Sequence, residues 1–132
     1  MDQRIENLNP EEIALLTEIF KLLPGMEGNM EVILTLGAAA RFNECIGNLG
    51  KMIEAFEEME RVIFPMLNNL QAPRYMKKHD RLKRVFTEVV DAYEENHGSG
   101  VYRLVKNSLY PAFFSWKQEL REIEQILLNN NS

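Results

Sequence analysis

The stretch FNECIGNLGKMIEAFEEMERVIFPMLNNL, residues 42–70, decides how the rest of the sequence is read. Phe42, Ile46, Leu49, Ile53, Phe56, Ile63, Leu67 and Leu70 recur in it at steps of three and four, interrupted only at Glu60 beside Met59. That spacing lays apolar side chains along one face of an α-helix, where a strand would alternate. The stripe keeps its phase through Gly47 and Gly50, although each glycine costs a helix about 1 kcal/mol against alanine. One long helix over residues 29–70 is therefore predicted. Any bend or break belongs near 47–50, where the missing side chains also let a neighbouring helix come close.

Working outward, the segment before it carries a helix start signal. Asn9 is a capping residue, Pro10 takes the favoured first helical position, and Glu12 follows the cap by three. Ile13, Leu16, Phe20 and Leu23 then share a face, and Leu23-Pro24-Gly25 is read as the end of this short helix. After Gln71-Ala72-Pro73 a third helix is expected from about 74 to 97, with Tyr75, Leu82, Phe86, Val89 and Tyr93 facing inward. His97-Gly98-Ser99-Gly100 stops it. A fourth, about 101–128, carries Tyr102, Val105, Leu109, Ala112 or Phe113, Trp116, Leu120, Ile123 and Leu127. Pro65 and Pro111 sit inside otherwise unbroken stripes, so the second and fourth helices should be kinked. The expected fold is all-α: one antiparallel four-helix bundle domain over 1–132, with a short first helix and frayed ends at 1–8 and 129–132.

A length of 132 residues, 45% of them hydrophobic, supports one domain with a real core. The net charge of −5 argues against nucleic acid as partner. No apolar run is long enough to span a bilayer. The single cysteine, Cys45, allows no internal disulfide, and with no signal peptide a reducing cytoplasm is the expected setting. Arg74, Lys77, Lys78, Arg81, Lys83 and Arg84 crowd into one stretch. In an antiparallel hairpin Arg81 and Arg84 would lie near Glu60 and the Glu54, Glu57, Glu58 cluster. Folding the fourth helix back brings the same run towards Glu119, Glu122 and Glu124, and sets Glu88, Asp91, Glu94 and Glu95 opposite Arg103 and Lys106. Each exposed pair contributes less than about 1 kcal/mol, so the charges select register more than they stabilise.

The chemistries that helical bundles often house find few ligands here. A di-iron site needs two Glu-x-x-His pairs. The sequence has one, Glu94 to His97, at a helix end, and its only other histidine is His79. Zinc lacks its Cys and His set. There is no glycine-rich phosphate loop and no nucleophile elbow. No metal, no cofactor and no catalysis are expected. One alternative remains, a histidine phosphotransfer or anionic-ligand bundle using His79 with Lys77, Lys78 and Arg81; it requires an exposed imidazole.

The favoured reading is a protein-interaction module, an adaptor, export-chaperone-like protein or homodimer. Tyr110 and Phe114, four apart, form a second stripe beside the core positions Leu109, Phe113 and Trp116. Phe64 and Met66 occupy the matching proline segment, and these four are the candidate partner-binding residues. The plainer reading of Tyr110 and Phe114 is that the short first helix packs across them; left open, they are a partner or dimer interface. Pro111 to Trp116, followed by Lys117-Gln118-Glu119-Leu120, gives P-x-x-x-x-W-K-x-E-L after an acidic helix and a short turn. This resembles the C-terminal part of small helical-bundle proteins of unknown function from Gram-positive bacteria, and implies no activity.

Overall fold

The computed structural model describes residues 8–66, 73–96 and 100–130, and among them every regular element is helical. α1 runs Pro10–Phe20 and begins as its sequence requires. Asn9 Oδ1 accepts from the Glu12 amide at 2.8 Å, and Glu12 Oε1 accepts from the Asn9 amide at 3.0 Å. Two orphan amide donors of the first turn are thereby satisfied. Leu8, placed in the frayed end on sequence, is buried against the core. The last helix likewise continues to Asn130, past the predicted start of the tail.

Two boundaries differ from expectation. Leu23-Pro24-Gly25 does not end the first helix; it opens the second, α2, Leu23–Ala38, with proline in its first turn. The physical cause is the same residue. Pro24 has no N–H to give the Phe20 carbonyl and its ring clashes there, so α1 stops at Phe20 and the chain turns through Lys21-Leu22. The long helix over 29–70 is also corrected. α2 ends at Ala38, a turn follows, Phe42–Cys45 is 3-10, and α3 runs Ile46–Ile63. The break thus lies before Gly47 and Gly50, and neither glycine has a neighbour within 4 Å of where a Cβ would sit. The close approach occurs at Gly37 instead, where a Cβ would stand 2.6 Å from the Tyr102 ring. Leu67 and Leu70 lie outside the described residues.

α4, Pro73–Asn96, follows, and α5 spans residues 101–130. Among the described residues the short α1 is thus followed by the longer α2 to α5, the single helix expected over 29–70 being divided between α2 and α3. Each interior proline perturbs its helix locally. Around Pro65 the winding tightens to 3-10 over Phe64–Met66. Before Pro111, which cannot donate to Asn107, it widens to a π turn over Val105–Leu109, with the Tyr110 amide donating to the Val105 carbonyl.

The helices meet through the predicted stripes. The Phe42 ring lies 5.9 Å from that of Tyr93, Phe56 meets Phe86 edge-on at 5.4 Å, and the Phe64 ring is tilted 4.8 Å from that of His79, which joins α3 and its flanking 3-10 turns to α4. Trp116 lies at the centre, its ring 5.4 Å from that of Phe56 and its Nε1–H donating to the Tyr75 hydroxyl at 3.3 Å. A buried indole needs such a partner. Met26, Met30, Met52, Met59 and Met66 are all core residues, which removes Met66 from the candidate docking set.

Candidate functional site

The sequence candidates fall in three places. Tyr110 and Phe114 stand together on the outer side of α5, 43% and 41% exposed, with ring centroids 6.3 Å apart. Neither ring is closed off from solvent. Phe64 is also exposed, but its ring lies 4.8 Å from His79, on the α3–α4 seam. Met66 is buried. The four therefore do not form one surface; the aromatic pair of α5 does.

Lys117 completes that surface, and sequence reading passed over it although it follows Phe114 by three, the same-face spacing. Its ammonium lies 2.7 Å from Glu27 Oε2 on α2, 5.3 Å from the Phe114 ring centre and 5.9 Å from that of Phe113. A cation over an aromatic face contributes about 0.5–1 kcal/mol at such exposed positions. The Lys117–Glu27 pair borders two hollows between α2 and α5. One, of about 340 Å³, is lined by Tyr110, Phe113 and Leu34 among others. The larger, of about 710 Å³, is an open groove that continues along α5 past Phe114, Gln118 and Arg121 to Ile126.

The basic run behaves differently from the phosphotransfer reading. His79 is 1% exposed, enclosed by the rings of Phe56, Phe64 and Tyr75. Its Nδ1 is 3.1 Å from Asp80 Oδ1. Its Nε2 is 3.2 Å from Glu60 Oε2, within ion-pair reach but too poorly aligned for a hydrogen bond. An imidazole that must meet a phosphoryl donor in solvent cannot sit there, and that alternative is withdrawn. Lys78 is engaged with the buried Glu119 at 3.4 Å, and Arg74 bridges Glu119 and Glu122 at 3.1 Å each. Lys83 donates to Glu60 at 2.8 Å, which raises its ammonium above the ordinary lysine range. Lys77 and Arg81 are exposed. The expected neutralisation by Glu60, Glu119 and Glu122 is present, with Lys83 where Arg81 and Arg84 were expected. Glu124 pairs instead with Arg121 in its own helix.

His97, half of the lone Glu-x-x-His pair, lies outside the described residues. Cys45 is buried with its thiol donating to the Phe42 carbonyl at 3.0 Å, and burial pushes that thiol up. Among the described residues no group of three or more His, Cys, Asp and Glu side chains is placed to share a metal ion. No described helix is long and apolar enough to cross a membrane.

The residues of the P-x-x-x-x-W-K-x-E-L stretch each reach a different neighbour. Trp116 binds Tyr75 of α4, Lys117 binds Glu27 of α2, Glu119 takes Arg74 and Lys78, and Leu120 enters the core. The stretch is the clamp that fixes α5 about its own axis and so determines which residues point outward. Residues 14–119 match the model of the family described as a domain of unknown function, DUF8042, and the chain is a member of it. No curated protein and no solved structure matches the chain.

Proposed function

We propose that this chain is an antiparallel helical bundle that acts without catalysis, as a protein-interaction module, and that it docks its partner on the Tyr110–Phe114 face of α5. One observation carries the reading: two neighbouring aromatic rings, each more than two-fifths exposed, flank the hollows between α2 and α5, Phe114 at the larger groove and Tyr110 at the smaller, while most other large apolar side chains among the described residues are in the core. Paired aromatics with an adaptable cationic neighbour are typical anchor groups at interfaces. Lone thiol Cys45, buried and unpaired with another cysteine, suits a reducing compartment, which we take to be the cytoplasm.

The test places a photo-crosslinking amino acid at Phe114 in the full chain and, separately, introduces Phe114→Glu. Crosslinks to a defined protein, a second copy of this chain included, are expected from position 114. Their loss on Tyr110→Glu, with no change in unfolding midpoint, would support a docking role. A surface that crosslinks nothing in cells, and whose Phe114→Glu variant retains every interaction of the wild type, would end it.

A further inference from the structure

We propose that the smaller hollow at this face receives an arginine side chain of the docked partner, its guanidinium held between the Glu31 carboxylate and the Tyr110 ring. The inference rests on the docking reading above and names the chemistry that the partner presents.

The hollow of about 340 Å³ has more carboxylates than cations on its walls. Two glutamates of α2, Glu27 and Glu31, line it from one side of their helix, a turn apart, and α5 brings a single cation, Lys117. Lys117 is committed to Glu27 at 2.7 Å. Glu31 is exposed and takes no cation among the described residues. The larger groove is balanced instead, its Lys117 and Arg121 matched by Glu27 and Glu122. The unmatched negative charge of the seam therefore lies beside Tyr110, in a chain whose net −5 already draws a cationic segment towards it.

The other walls suit a guanidinium and its stem. Tyr110 offers an exposed ring, over which a cation is attracted, and Leu34 offers apolar surface to the methylenes. The chain seats one of its own cations by the same chemistry: the Lys117 ammonium meets the Glu27 carboxylate and lies 5.3 Å from the Phe114 ring centre. Glu31 and Tyr110 repeat that carboxylate and ring, each four residues from its counterpart, and the chain supplies no cation to them. Arginine fits better than lysine, because its planar group stacks on a ring while donating two parallel hydrogen bonds to one carboxylate. Phe114, beside Tyr110, is then left for an apolar neighbour of that arginine.

NMR titration of the full chain tests this with two peptides, acetyl-Leu-Arg-Leu amide and its citrulline counterpart, which keeps the shape and loses the charge. The arginine peptide should shift the amides of Glu31, Leu34 and Tyr110 saturably, with a Kd on the order of 1 mM. Binding should weaken about tenfold or more for the citrulline peptide, and as much for the arginine peptide on Glu31→Gln, the scale of a lost charged hydrogen bond. Glutamine matches glutamate in helix propensity and position 31 is exposed, so the fold is kept. Equal binding of the two peptides overturns the inference, as does an arginine peptide that shifts nothing at about 10 mM. Crosslinking from position 114 separates this from the docking role. A protein captured equally by wild type and Glu31→Lys overturns the arginine alone and leaves the docking role standing. If position 114 captures nothing and the arginine peptide shifts nothing, both readings fall.

Discussion

Ala40 holds the left-handed backbone conformation, φ 61°, that glycine usually supplies after a helix. The Arg41 amide donates to the Leu36 carbonyl at 2.7 Å and the Ala40 amide to Gly37 at 3.0 Å, which is the hydrogen-bond pattern of a Schellman end. The alanine Cβ is crowded there, and Ala40→Gly should stabilise the fold by about 0.5–1 kcal/mol, read from the urea midpoint. Tyr75 ties stability to alkaline pH. Its phenol is enclosed, and burial raises its pKa far above the usual tyrosine range, with the Trp116 indole opposing this more weakly. The folded state therefore keeps the proton after the unfolded chain has lost it. Tyr75 favours folding below pH ~10 and costs stability above it, at up to about 1.4 kcal/mol per pH unit. Tyr75→Phe should cost about 1–3 kcal/mol at neutral pH by orphaning the indole N–H. The variant should also lose stability less steeply than wild type in alkaline chemical denaturation.

At the scale of elements, two glycines of α2 make opposite predictions. Gly28 has nothing within 4 Å of a built Cβ, so Gly28→Ala should gain about 1 kcal/mol from helix propensity alone. Gly37 is pressed by the Tyr102 ring, and Gly37→Ala should cost about 1–3 kcal/mol, as overpacking does. Removing the ring with Tyr102→Ala in the same chain should relieve that added cost, and thermal melts of the four variants measure it. The 39–45 break that follows Gly37 was illegible in the sequence. Ala38-Ala39-Ala40-Arg41 contains no glycine or proline, and alanine is the best helix former, so nothing local announces an end. The turn is imposed by tertiary packing, with Phe42 and Cys45 drawn into the core. The start of α1 was legible because its cap is local and chemical. Pro24 was read with the wrong sign, since proline ends one helix and opens the next with equal ease.

For the whole molecule, the division between core and surface was largely written in the spacing. Tyr75, His79, Leu82, Phe86, Val89 and Tyr93 step by four and three, so His79 occupies a place in the inner stripe that its basic neighbours obscured. The outer stripe of Tyr110 and Phe114 was equally visible. What spacing could not give was that Phe64 and Met66 belong elsewhere, because that depends on how the segments dock. The partition has a direct measure. Phe114→Ala should change unfolding free energy by less than about 0.5 kcal/mol, and its buried neighbour Phe113→Ala should cost about 3–5 kcal/mol, by urea denaturation.

The π turn bears on this partition too. Val101, Val105 and Leu109 are all buried although spaced by four, a step that drifts about 40° around an ordinary α-helix. The wider winding of residues 105–109 absorbs the drift. It works as a phase shifter between two lengths of one rod. The first length is timed to α2, through Tyr102 on Gly37; the second is timed to α4, through Trp116 on Tyr75. A rod of uniform pitch would have to fit one neighbour at the expense of the other. This one serves both, and the bearing of Tyr110 and Phe114 towards solvent is the remainder left by that correction.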